Sequence, residues 1–180
     1  MDKKVLSQVE IYTGEIGPKK IIEIDRPKLR IDVLESFCLK KFIKNREEDY
    51  EIKPSYPLEH VRIFIKDQFA FHHKDTLILK NEFGSVYLPM QQSLNRNQID
   101  PFSLETSPDL TCVYAVEMKE RSSTLVIEYD DNRYKGKQWR YPMRNNHFWM
   151  FPSACRYYFT ANKSDDLNVF LTFNFNILTR

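Results

Sequence analysis

The sequence predicts a mainly β fold with an N-terminal helix, an α+β chain built as a β-sandwich or open barrel with helical cover. Two observations carry this. One segment near the N-terminus has helical periodicity, and β-rich segments follow it at roughly 10–15-residue spacing. The last of them, Asn168–Asn176, alternates strictly. With 180 residues the chain fits a single domain, since one core usually serves ~100–200 residues. Within it the expected division is 1–58 for N-terminal strands and cover helix, and 59–180 for the β core with a loop or lid near 84–108.

Taken in order, Val9–Tyr12 and Ile21–Ile24 read as short strands bracketing the turn at Gly14–Pro18. From Asp32 to about Arg46 the period changes. Leu34, Phe37, Cys38, Lys41 and Phe42 form one helical stripe, and Asp32 with Glu35 resembles a capping box. A loop at Pro54–Pro57 returns the chain to strands. Val61–Ile65 alternates, and Thr76–Leu79 follows. Between Gly84 and Pro108 the prolines Pro89, Pro101 and Pro108 break any long element, leaving a loop with one short helix. Thr111–Val116, Thr124–Tyr129, His147–Phe151, Arg156–Phe159 and Asn168–Ile177 complete the strands, with a turn at Asp130–Asn132. On the final strand Val169, Leu171, Phe173 and Phe175 point one way. Asn168, Phe170, Thr172, Asn174 and Asn176 point the other, the pattern of a strand lining a cleft or interface.

Composition excludes several chemistries. Four glycines is about a third of the usual ~7% share, and Gly14, Gly17, Gly84 and Gly136 cannot make a G-x-G-x-x-G turn or a P-loop. Lys+Arg number 27 against 25 Asp+Glu, a net charge of +2 with the signs interspersed, which disfavours nucleic acid. Cys38, Cys112 and Cys155 are odd in number and widely spaced, so they read as buried or half-buried thiols in a reducing compartment, without disulfides or zinc. No apolar run reaches the ~20 residues of a membrane helix, and Met1–Leu6 lacks a secretory apolar stretch. Expected locations are a virion or the host cytoplasm.

The C-terminal third resembles a known family. Asn146–Ser153 with its Phe151-Pro152-Ser153, then a strand, a polar turn at Ala161–Asp166 and a last strand ending Thr172-Phe173-Asn174, is similar to the closing strands of small phage and bacterial iron(II)/2-oxoglutarate oxygenases. Cys112–Val116 and Thr124–Asp130 match earlier core strands, so the likeness spans roughly residues 100–176. It implies a double-stranded β-helix, a jelly roll of two antiparallel sheets. That chemistry needs two His and a carboxylate on Fe(II), and a cation for the cosubstrate. Carried over by position, the resemblance puts the first His at Ser103, the carboxylate at Glu105, the second His at Tyr157 and the anchoring Arg at Asn168. Ser and Tyr hydroxyls are poor Fe(II) ligands at neutral pH, and Asn carries no charge. The implied site is degenerate, without cofactor or catalytic residue.

A rival register makes a live Fe(II)/2-oxoglutarate dioxygenase. His73-Lys74-Asp75 is an H-x-D, His147 supplies the distal imidazole, and Arg156 nine residues later holds the cosubstrate. A third reading is a cupin-like or lectin-like binder using Asn168, Thr172 and Asn174. His72-His73 alone is a solvated edge, Cys155 a packed thiol, and the paired acids at Asp130-Asp131 and Asp165-Asp166 are turn residues. Trp139, Arg140, Tyr141, Arg144 and Trp149 lie within 133–158, where aromatics interleave with basic residues as they do at interface centres. The favoured reading is a non-catalytic protein that docks protein partners in a larger assembly, plausibly the neck, tail or baseplate of a phage. The phage assignment rests on this analogy and on a composition rich in Lys, Asn, Ile, Phe and Tyr and poor in Ala and Gly, as AT-rich genomes tend to encode.

Overall fold

The computed structural model describes residues 9–43, 46–99, 103–130 and 136–178. The Met1–Leu6 leader, Pro101, the Asp131–Asn132 end of the expected turn, and the basic residues Arg133 and Lys135 lie outside them. Two antiparallel sheets face each other. The larger runs β1 (Tyr12–Glu15), β6 (His147–Pro152), β3 (Leu110–Glu117), β8 (Asn168–Leu178) and β2 (Thr76–Tyr87) in spatial order. The smaller runs β5 (Gly136–Pro142), β4 (Thr124–Asp130) and β7 (Arg156–Phe159). Beyond β7 a single antiparallel bridge, Arg96 with Tyr157, extends the smaller sheet.

Three helices cover the larger sheet: α1 (Pro18–Ile24), α2 (Arg26–Cys38) and α3 (Tyr56–His73). Two of them replace expected strands. Ile21–Ile24 belongs to α1, where Pro18 takes the first turn and the β-branched run that suggests a strand packs Ile21 and Ile24 at helical spacing. Val61–Ile65 lies inside α3, whose buried positions Leu58, Val61, Ile65 and Phe69 recur at three- and four-residue steps. A five-residue window of that stripe mimics alternation. Helix α2 starts six residues before the expected Asp32, because Asp25 accepts a hydrogen bond from the Lys28 amide and caps it. It ends at Cys38, well short of Arg46, where Lys40 adopts φ 49°. Strand β1 begins at Tyr12 rather than Val9, and β2 runs on to Tyr87, three residues into the expected loop. The one short helix of that loop is the single turn Leu104–Thr106. Strand β5 has no counterpart in the sequence reading.

The larger sheet separates two cores, and strand parity sorts the residues between them. Cys112, Tyr114 and Val116 of β3, Phe148 and Met150 of β6, and Val169, Leu171, Phe173 and Phe175 of β8 pack beneath the helices. Val113, Ala115, Trp149, Phe151 and Phe170 point into the space between the sheets, where they meet Leu125, Ile127, Tyr157 and Phe159. The alternation of the last strand holds as the sequence predicts. Its Asn168, Thr172 and Asn174 therefore sit fully buried between sheets.

Gly84 marks a close approach. Its amide and carbonyl bond those of Tyr50, clamping the 46–50 segment along β2, and a Cβ there would lie 2.8 Å from Val33 Cγ1 and 3.0 Å from Ile52 Cδ1. Gly84→Ala is expected to cost about 1–3 kcal/mol in urea unfolding, the usual cost of overpacking a filled core. The thiols differ from expectation at one position, since Cys38 at the end of α2 is exposed. Cys112 and Cys155 are buried, and burial raises both thiols, Cys155 to about 11. An aromatic disulfide reagent at neutral pH should label Cys38 rapidly in the folded protein, and Cys112 and Cys155 only once it is unfolded.

Candidate functional site at the mouth between the sheets

The polar face of β8 needs partners, because buried polar groups left unpaired cost ~1–3 kcal/mol each. Most come from strands beside it. Asn174 donates to Asn81 of β2 at 2.7 Å and to Gln98 at 3.1 Å, and accepts from Thr111 of β3 at 2.9 Å. Thr111 pairs in turn with Ser153 at 2.8 Å. Gln98 donates to the Tyr157 hydroxyl at 2.9 Å, so one side chain joins both sheets.

Two residues earlier on the same segment stands Arg96, its side chain 9% exposed. Its guanidinium donates to Asp49, to Glu48 at 2.9 Å, to the Tyr87 hydroxyl at 2.6 Å and to Ser85 at 3.3 Å. Arg46 extends the cluster, reaching Asp49 at 3.3 Å and Gln98 at 2.9 Å while lying over the Phe83 ring. The backbone fixes this placement. Arg96 and Tyr157 exchange both amide bonds, at 2.8 and 2.9 Å, and the Gly84–Tyr50 bridge carries Asp49 to the rim of β2. A cleft of about 390 Å³ opens to solvent beside it, lined by residues of 46–49 and 94–98. Burial works against the Arg96 charge, but the acidic and phenolic groups around it outweigh burial and hold the guanidinium protonated. Burial also raises the Tyr87 and Tyr157 phenols, so both stay neutral hydroxyls.

The positions named from sequence scatter over the molecule. Tyr157 faces into the cluster. Ser103 is half-buried in the loop before β3, capped by Thr106, and Glu105 is exposed on the adjoining single turn. Asn168 sits at the other end of β8, accepting from Ser122 at 3.0 Å. The segment opposite Tyr157 is thus Arg96–Gln98 and not Ser103–Glu105.

His73, Asp75 and His147 do not converge. His73 ends α3, stacked on Phe69 and edge-on to Tyr12, on the helical side of the larger sheet. His147 shares the opposite face with Trp149, and pairs with Glu15 three residues further along β1 than Tyr12. Among the described residues no three His, Cys, Asp or Glu side chains are grouped to hold a metal ion. Arg156, next to Tyr157, points to the outer face of the smaller sheet. Of the aromatic–basic set, Trp149 is buried between the sheets, Trp139 and Tyr141 are half-buried, and Arg140 and Arg144 are exposed.

This arrangement of strands has clear relatives among solved structures. A prolyl hydroxylase from Trichoplax adhaerens, in complex with a hypoxia inducible factor oxygen degradation domain peptide fragment, superposes with a TM-score of 0.65 at 8% identity, over 93% of this chain and 83% of that one. The chain has the double-stranded β-helix fold of the iron(II)/2-oxoglutarate oxygenases. A Pseudomonas putida prolyl-4-hydroxylase matches with a TM-score of 0.62 at 9% identity, over 92% and 91% of the two chains. A viral collagen prolyl hydroxylase from Paramecium bursaria Chlorella virus-1 matches at 0.59 and 8%, over 94% and 96%. No protein-family model matches the sequence, and no curated protein is similar to it. Likeness at this identity establishes the fold.

The residues at the mouth do not fit an iron centre. Iron(II) in this fold would need imidazole and free carboxylate, and the groups gathered around Tyr157 are a guanidinium, amides and neutral hydroxyls. Glu48 and Asp49 already hold Arg96, a cation that keeps its proton and repels a second one, and Glu47 stands exposed at the cleft with no imidazole beside it. Removing one partner of a buried ion pair strands the other. Arg96→Met is therefore expected to lower unfolding free energy by about 3–5 kcal/mol. Adding Asp49→Asn should then cost less than the sum of the two single changes, which a double-mutant cycle in urea reads directly.

Proposed function

We propose that this protein is a non-catalytic member of the oxygenase-like fold that works by docking protein partners in a larger assembly, such as a phage neck, tail or baseplate. The observation that supports loss of catalysis is the Arg96–Asp49–Glu48 cluster, which fills the inter-sheet mouth with a side-chain cation. The docking role draws on the exposed Arg140 and Arg144; Trp139 and Tyr141 alternate with Arg140 along β5, and Tyr141 packs toward the inter-sheet core. Arg and aromatic side chains of this kind concentrate binding energy at interfaces. Trp149 takes no part in such a surface, being committed to the core. The 84–108 segment supplies an arm, whose described part beside β7 is tied by main-chain bonds from Ser93 to Phe159 and from Arg96 to Tyr157. The virion assignment rests on composition, with abundant Lys, Asn, Ile, Phe and Tyr and only 4 Gly.

Incubation with Fe(II), ascorbate, 2-oxoglutarate and dioxygen is expected to release no succinate above the iron-only background, and calorimetry with Fe(II) or Mn(II) to show no stoichiometric binding. Iron-dependent succinate release would establish an active dioxygenase instead. Arg140→Glu with Arg144→Glu should abolish co-purification of assembly partners while leaving the unfolding midpoint unchanged, because both side chains are exposed. Undiminished partner recovery would remove this surface from the reading.

A further inference from the structure

Helix α3 has a second face. Its buried side, Leu58, Val61, Ile65 and Phe69, lies on the larger sheet. On the opposite side Tyr56, His60, Ile63, Asp67 and Phe71 follow one another at steps of four, three, four and four residues, within an arc of roughly 80° at 3.6 residues per turn. Three of them are large and apolar yet exposed, Tyr56 at 61%, Ile63 at 46% and Phe71 at 81%. Asp67 is exposed as well, and His60 is half-buried under the Tyr56 ring, 4.0 Å between centroids. A helix needs one apolar stripe to pack on its sheet, and α3 carries two.

The order of residues along the outer stripe says what fits it. Tyr56 and Phe71 lie equally far on either side of the Ile63–Phe64 midpoint, and so do His60 and Asp67. A two-fold interface brings residue i against j and j against i, so a helix pairs with its own antiparallel copy only if its sequence is complementary about a centre. Here the reversal sets aromatic on aromatic and imidazole on carboxylate, each twice, with Ile63 against its own counterpart near the axis. We infer that α3 is the contact surface of a homodimer, in which two copies of the helix pack antiparallel with His60 of each facing Asp67 of the other.

The geometry bounds the complex. Eighteen residues make α3 about 27 Å long, and contact from Tyr56 to Phe71 requires the axes to cross at a shallow angle, near the ~20° packing class. Several charged groups at the stripe's border are matched within the chain. Lys20 and Glu23 of α1 pair at 2.6 Å, and Arg62 is held by Glu82 at 3.2 Å and Glu59 at 3.9 Å. One helix face per partner gives an interface at the small end of the stable range, so the dimer forms at roughly micromolar concentration. It is independent of the docking surface at β5, which lies on the smaller sheet.

Sedimentation equilibrium on the full chain tests this. The native protein should show a reversible monomer–dimer equilibrium. His60→Glu places carboxylate against carboxylate twice and should weaken the dimer about 100-fold. Adding Asp67→Lys to that variant should restore it, since opposite charges then face each other again. Ile63→Asp should weaken it at least as much. Circular dichroism should show all three folded, because none of these side chains is in the core. A native protein that stays monomeric at millimolar concentration overturns the inference, as does a dimer that neither His60→Glu nor Ile63→Asp weakens. A dimer that Ile63→Asp weakens but the paired charge reversal fails to restore overturns the antiparallel register.

Discussion

The buried guanidinium of Arg96 is the contact on which the inter-sheet mouth depends. A jelly roll whose last strand turns Asn168, Thr172 and Asn174 inward has polar groups between its sheets that water does not reach. Dehydrating them is unfavourable unless each finds a partner. Asn174 meets Asn81, Gln98 and Thr111, and Asn168 accepts from Ser122. Beside them Arg96 ties together three stretches far apart in sequence, the 46–50 segment, β2 and the 94–98 segment. A charge held this way contributes little net stability relative to an apolar filling, yet it fixes one arrangement, because each wrong pairing leaves a buried ion unmatched. The mouth is specified by electrostatics where the rest of the molecule is specified by packing.

That division explains what was legible in the sequence. The β-rich half could be read because strand periodicity is local: Thr111–Val116, Thr124–Tyr129 and Asn168–Ile177 carry their own signal, and the two faces of β8 follow from parity alone. Helices α1 and α3 were misread for a physical reason. Ile21-Ile22 and Val61–Ile65 are β-branched or alternating over short windows, and the burial of Ile21, Ile24, Val61 and Ile65 in the core beneath the helices selects the helix. Strand β5 carries few apolar residues because its outer face is solvated, and it forms by pairing with β4. The site was the least legible part. Tyr157 could be located from the Phe151-Pro152-Ser153 resemblance, because that strand register is short. Arg96, Asp49 and Glu48 have no motif, and their meeting depends on a chain crossing at Gly84 and Tyr50 that no spacing announces. The signal that pointed there was indirect: a polar face on β8 that had to be satisfied by something.

Fold and chemistry separate cleanly in this molecule. The chain superposes on prolyl hydroxylases over more than nine-tenths of its length at less than a tenth identity, so the architecture tolerates nearly complete replacement of its side chains. What a metal centre would do for the mouth by coordination, joining strands of both sheets through one ion, an arginine and two acids do here by hydrogen bonds.

Two of the four outermost strands, β1 and β5, have a further consequence. An unprotected strand at the margin of a sheet offers its amides and carbonyls to any neighbouring chain, and a protein held at high local density faces that risk constantly. β1 is four residues long and includes Gly14, too short and too weak to template growth. β5 carries the exposed Lys137 and Arg140 and stops at Pro142, so an incoming strand would meet positive charge and then a missing donor. Neither of these two margins favours the addition of a further strand.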